Sequence, residues 1–191
     1  MNEKKKMGVV IVSLVVVVAV SVLLYSMYKD RVDPVTGKWN PTASNAVVTI
    51  GDANELAPDF TMEDADGKAV KLSDFKGKPV ILNFWASSCS YCKAEMPYFQ
   101  SAYQKYGDSA QFVMLNVVNS ERSSNDGRNF IQESTYTFPV FYETAGKAMG
   151  LYGLRGLPAT IFIDSDGKIV QKAVGAITQP RLTNAINNLI G

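Results

Sequence analysis

Hydrophobic and polar positions change their period several times along this chain, and each change predicts an element. An uncharged run of 22 residues, Met7 to Tyr28, comes first, behind Lys4, Lys5 and Lys6. Residues 29–46 contain Pro34, Gly37, Pro41, Ser44 and Asn45 with no apolar period, which reads as a tether. Regular patterning begins near Val47. Phe60–Glu63 and Ala69–Leu72 flank Asp64-Ala65-Asp66-Gly67, and Thr160–Ile163 and Lys168–Lys172 flank Asp164-Ser165-Asp166-Gly167. Both are β-hairpin signals. Neither turn has the third oxygen ligand, or the Glu six residues beyond its Gly, that a calcium loop requires.

Between the hairpins the periods alternate. Pro79–Trp85 is apolar except for Asn83 and predicts a buried strand, as does Gln111–Val118. Ser90 to about Tyr106 has helical spacing through Met96, Phe99, Tyr103 and Tyr106. Asn125–Thr135 reads as a helix with Phe130 and Ile131 inward, and Pro139–Tyr142 as a short strand. Thr178–Ile190 closes the chain as an amphipathic helix, with Leu182, Ile186 and Leu189 on one face. Strand, helix and strand, followed by an antiparallel hairpin and a last helix, make an α/β sandwich with a mixed sheet. The expected organisation is a membrane anchor at 1–28, a linker at 29–46 and one domain at 47–191.

As a helix the first run would reach roughly 33 Å, enough for a hydrocarbon core of about 30 Å. A cleavable signal peptide normally has an apolar region of only about 7–15 residues ending in small-x-small. This run ends in Leu24, Tyr25, Ser26, Met27 and Tyr28, and no cysteine near residue 20 could accept a lipid. An uncleaved transmembrane helix is therefore the expectation, with a cleaved signal as the alternative. Three lysines and the terminal amine precede the span, whereas Lys29 and Arg31 follow it with Asp30 and Asp33. The positive-inside bias puts the N-terminus in the cytoplasm and the remainder outside, on a single-pass cell-membrane protein.

Composition then narrows the chemistry. A chain of 191 residues holds one ordinary domain and an appendage, and 47% hydrophobic with 19% charged residues excludes disorder. With no histidine, a Ser-His-Asp triad, a Cys-His dyad and a His-ligated metal are all excluded. A net charge of +1 gives no reason to expect a nucleic-acid partner. The two cysteines, Cys89 and Cys92, lie in a compartment where disulfides persist if the topology is as expected.

Cys89-Ser90-Tyr91-Cys92 follows a strand and opens a helix, the context of a redox CxxC. The first sulfur would sit at the helix N-terminus, where free N–H groups and the dipole lower a thiol pKa from about 8.5 into the ~3.5–7.5 range. The second would lie one turn deeper. Cys89 is thus the candidate nucleophile and Cys92 the resolving thiol, with their own disulfide in place of any cofactor. A structural disulfide, a zinc site and accidental spacing remain as other readings. Such a short loop is a poor staple, however, and one chain with two Cys and no His cannot supply four sulfur or imidazole ligands.

The segment Pro79-Val80-Ile81-Leu82-Asn83-Phe84-Trp85-Ala86-Ser87-Ser88-Cys89-Ser90-Tyr91-Cys92-Lys93-Ala94-Glu95-Met96-Pro97 resembles the active-site stretch of the thioredoxin superfamily. With Ala57-Pro58-Asp59-Phe60, Leu72-Ser73-Asp74-Phe75-Lys76-Gly77-Lys78 and Gly156-Leu157-Pro158-Ala159-Thr160, it resembles the membrane-anchored TlpA/ResA-like thiol-disulfide oxidoreductases over about residues 50–191. The resemblance implies a thioredoxin-like sandwich whose central mixed sheet is flanked by helices and extended by an N-terminal β-hairpin. It makes Pro158 a cis-proline facing the CxxC, with Leu157 offering backbone hydrogen bonds to substrate. Glu95 matches an acid that relays protons, and Trp85 matches the active-site tryptophan, here grouped with the substrate-binding residues, while its place in a buried strand is equally consistent with a core wall. Partners implied are a disulfide-containing envelope protein and a DsbD/CcdA-type membrane electron donor.

Two departures accompany the match. Asn83 stands where general thioredoxins carry a buried Asp, which shifts weight to Glu95, and Ser88 stands where the family usually has Trp, which removes an apolar wall. A peroxiredoxin-like peroxidase shares the Ala-Pro-Asp-Phe and Leu-Ser-Asp-Phe patterns, but needs Pro-x-x-x-Thr-x-x-Cys. Residues 82–89 read Leu-Asn-Phe-Trp-Ala-Ser-Ser-Cys. A DsbA-type oxidase would carry a helical insertion of several dozen residues, whereas Asn119–Phe138 spans only 20. A metal-delivery protein would need His or Met beside the CxxC and finds only Met96.

Overall fold

The structure is a computed structural model in which residues 16–23, 47–50 and 55–191 are described. Residues 16–23 form a helix, α1, with exposed side chains. The rest of the expected anchor, and the linker through residue 46, lie outside the described residues. Among the described residues no helix is long and apolar enough to cross a membrane. Asn45–Gly191 is a compact unit in its own right.

Eight strands and four helices follow in that unit: β1 (Val47–Ile50), β2 (Thr61–Glu63), β3 (Ala69–Lys71), β4 (Val80–Trp85), α2 (Ser90–Tyr106), β5 (Gln111–Val117), α3 (Asp126–Gln132), β6 (Val140–Glu143), α4 (Ala148–Leu151), β7 (Ala159–Ile163), β8 (Ile169–Val174) and α5 (Gln179–Ile190). The predicted strands and helices form within a few residues of their expected bounds. Helix α4 is additional; a single turn is too short to show a period. Both Asp-x-Asp-Gly segments are turns whose first aspartate accepts backbone N–H groups, from Asp66 and Lys68 onto Asp64 and from Asp166 and Lys168 onto Asp164.

All eight strands join one sheet in the order β1-β8-β7-β4-β5-β6-β2-β3. Strands β4, β5 and β6 run parallel, while β7 and β8 are antiparallel to their neighbours. The hairpin β2–β3 extends one edge through Glu63 opposite Tyr142, and β1 extends the other along β8.

The central strands are buried on both faces, so their side chains alternate between two cores. Ile81, Trp85, Phe112, Met114 and Phe162 face α2 and α5, meeting Met96, Phe99, Leu182 and Ile186. Leu82, Phe84, Val113, Leu115 and Ile161 face the other way, toward Phe60, Met62, Phe141 and Tyr152. Phe130 and Ile131 of α3 pack against the first core as expected, though only partly buried. On the α2 face of β4, between Ile81 and Trp85, the period places Asn83. That polar residue leads directly to the site.

Candidate active site

Strand β4 ends at Trp85, and the backbone turns at once into α2. Cys89 N–H donates to the Ala86 carbonyl at 3.1 Å, closing a turn over Ser87 and Ser88. Cys89 is the N-cap of α2 in extended backbone, and its Sγ accepts from the Cys92 N–H at 3.1 Å. A sulfur there meets the first free donors of the helix, the arrangement that favours a thiolate. Cys89 and Cys92 are joined as a disulfide, with Cα atoms 5.3 Å apart. Cys92 is fully buried and Cys89 half-buried, so only the first sulfur is open to another molecule.

Three residues beyond Cys92, on the same face of α2, lies Glu95. It is 1% exposed. Its Oε1 accepts from Asn83 Nδ2 at 2.8 Å and its Oε2 from the Ile177 N–H at 2.9 Å. Asn83 Nδ2 also donates to Thr160 Oγ1 at 3.1 Å, and the register sets Asn83 beside Thr160. Burial pushes the Glu95 carboxyl up to about 8, against the lowering effect of the Ile177 and Asn83 donors. Its proton is therefore exchangeable close to the ordinary range of a thiol. The asparagine that replaces the expected aspartate thus orients the carboxylate.

The Leu157–Pro158 peptide is cis. Pro158 is buried, its carbonyl accepts from the Gly175 N–H at 2.9 Å, and it enters β7 where Ala159 pairs with Phe84. That register places it at the end of β4 from which the cysteine loop departs. Leu157 is half-buried against both cores.

Trp85 requires a correction. It has no exposed surface, and its ring lies 5.9 Å from that of Phe130. A strand residue whose side chain points between sheet and helices cannot touch a docked protein. Trp85 is a wall of the core beneath the site.

Glu121 and Asn116, not singled out from the sequence, help complete the loop. Glu121 accepts at 2.6 Å from the Ser87 N–H and at 2.6 Å from Ser87 Oγ, and it also accepts from Asn116 Nδ2 at 2.7 Å. Ser88, exposed where the family's tryptophan would stand, donates through Oγ to the Ser120 carbonyl at 3.0 Å. The available signal was topological. Parallel strands β4 and β5 pair Trp85 with Asn116, so the segments leaving those ends lie side by side.

The AhpC/TSA family model matches residues 53–172. The ResA thiol-disulfide oxidoreductase of Oceanobacillus iheyensis is 32% identical over 192 residues, covering 98% of this chain and 92% of that one. ResA of Bacillus subtilis is 36% identical over 131 residues, covering 69% and 72%. The crystal structure of StoA from Bacillus subtilis superposes with a TM-score of 0.61 at 31% identity, covering 69% of this chain and 98% of StoA. The chain belongs to the AhpC/TSA family, among its ResA-like thiol-disulfide oxidoreductases. Its compact unit is a thioredoxin-like α/β fold with a mixed central sheet and flanking helices, and its chemistry is thiol-disulfide exchange. Here buried Leu82 and Ala86 stand where the peroxidase motif places Pro and Thr. Among the described residues no cluster of His, Cys, Asp and Glu could hold a metal ion.

Proposed function

We propose that this enzyme reduces disulfides of exported proteins at the outer face of a bacterial membrane, tethered there by residues 7–28. Cys89 is the attacking sulfur, Cys92 the resolving one and Glu95 the proton relay. The observation that carries the reading is the asymmetry of the pair: a half-exposed, helix-capping Cys89 above a buried Cys92, with a buried carboxyl three residues on.

The steps balance as follows. Cys89 thiolate attacks one sulfur of a substrate disulfide; that S–S bond breaks, a mixed disulfide forms, and the leaving thiolate takes a proton from water. Cys92 thiol then gives its proton to the Glu95 carboxylate and attacks Cys89 sulfur. The protein disulfide closes, and the second substrate sulfur leaves as a thiolate that takes a proton from water. Two electrons pass from protein to substrate, and a DsbD/CcdA-type membrane donor returns them. Leu157 and Pro158 hold the substrate strand beside the pair. Related CxxC proteins span about −270 to −120 mV, so potential sets the direction.

Trapping tests the assignment. Cys92→Ser leaves the nucleophile active with nothing to resolve it, so substrate accumulates covalently on Cys89. Non-reducing electrophoresis of membranes is expected to show heavier bands that dithiothreitol removes, and mass spectrometry identifies the substrate. Cys89→Ser is expected to give few such bands. Equal trapping by both variants would overturn the roles.

A further inference from the structure

The mechanism leaves unused one carboxylate beside the nucleophile. Glu121 follows a short 3-10 turn, Val118–Ser120, after β5, and forms no ion pair among the described residues. Its two oxygens take three hydrogen bonds, two of them from Ser87. Ser87 lies two residues before Cys89, within the turn closed by the Cys89 N–H on Ala86. Ser88 adds a tie to the Ser120 carbonyl. Two consecutive residues of the active-site turn are thus fastened to two consecutive residues of the neighbouring loop.

We propose that Glu121 is a positioning residue for Cys89, acting through Ser87. Held by its backbone N–H and its hydroxyl, the turn keeps Cys89 at the N-cap of α2, where the Cys92 N–H reaches the sulfur. Once the turn loosens, the thiolate loses part of that donor. A carboxylate less neutralised by the Ser87 hydroxyl dipole also disfavours a second negative charge nearby. Both effects move the thiol the same way, toward weaker acidity. The inference rests on the reading of Cys89 as the nucleophile.

The test uses the full chain, reduced, with the pH dependence of Cys89 alkylation by iodoacetamide as readout. Ser87→Ala is expected to raise the alkylation midpoint by about half a pH unit or more, the scale of one lost hydrogen bond to a charged group. Glu121→Asp keeps the charge but shortens the reach by one methylene, and is expected to shift the midpoint in the same direction. Ser87→Thr keeps both donors and is expected to restore the original profile. In a Glu121→Ala background Ser87→Ala is expected to add nothing, because the acceptor itself is gone. An unmoved midpoint in Ser87→Ala and Glu121→Asp, or an equal Ser87→Ala effect with and without Glu121, would overturn the proposal. Alkylation needs no protein substrate, so failure to trap one in the Cys92→Ser variant would count against the proposed function and leave this result standing.

Discussion

At Glu95 a single carboxyl couples stability to pH. Its folded value of about 8 lies above the ordinary 4.5, so between those values the folded state keeps a proton that the unfolded state has released. Stability contributed by this group therefore falls as pH rises through that window, by at most about 1.4 kcal/mol per pH unit for one proton, and levels off above it. Urea unfolding from pH 5 to 9 is expected to show this decline, and Glu95→Gln to flatten it. A glutamine is nearly isosteric, but it has one acceptor for the two donors of Asn83 and Ile177. The amide left facing a donor is expected to cost about 1–3 kcal/mol at pH 5. The same variant is expected to slow disulfide exchange and change its pH profile between about pH 6 and 9, measured by stopped-flow fluorescence. Rates that match the parent throughout would leave Glu95 a buried structural acid.

Two elements hold the site's surroundings through side chains of opposite charge. Arg128 of α3 reaches Glu63 of β2 at 3.1 Å and the Ala65 carbonyl at 3.2 Å, with its guanidinium 3.7 Å from the centre of the Tyr142 ring. It thereby ties α3, the hairpin and β6 together. The ion pair is about a third exposed on each side and worth little, so the ring contact and the carbonyl bond carry most of the effect. Arg128→Ala is expected to cost about 1 kcal/mol and to act locally. Amide exchange should quicken in β2 and β3 while the central strands stay protected; uniform quickening would mean that the hairpin unfolds only with the whole domain.

For the whole molecule, stability rests on two cores divided by one sheet. Leu182 of α5 is fully buried in the core that also holds Cys92 and Met96. Leu182→Ala is expected to cost about 2–5 kcal/mol, read from the urea midpoint with an unchanged slope. The proposed tether is tested separately by mass. If Met7–Tyr28 is an uncleaved anchor, the native protein sediments with membranes at full length; a chain starting beyond residue 28 would mean a cleaved signal. Without residues 1–28 the chain holds 16 basic and 17 acidic residues, so net charge alone gives no steering toward a partner.

Period and spacing alone determined a large part of this protein. Mostly apolar runs at Pro79–Trp85 and Gln111–Val118 predicted strands buried on both faces, and the i, i+3 and i+4 pattern from Ser90 predicted a helix between them. Cys89 and Cys92 at that junction follow from local order, because an N-cap and the residue one turn later are fixed by chain geometry. Tertiary structure decided what depends on the neighbours. A glutamate three residues past Cys92 is solvated on a free helix; in the fold, burial raises its proton affinity against the opposing pull of the Ile177 and Asn83 donors. Trp85 looks the same in the sequence whether it faces substrate or core, and only the packing of the helices over β4 encloses it. The join between Ser87 and Glu121 spans 34 residues and exists only because β4 and β5 pair in parallel at Trp85 and Asn116. Local patterns encode which atoms a short segment can offer; the register between distant strands decides which of those atoms meet.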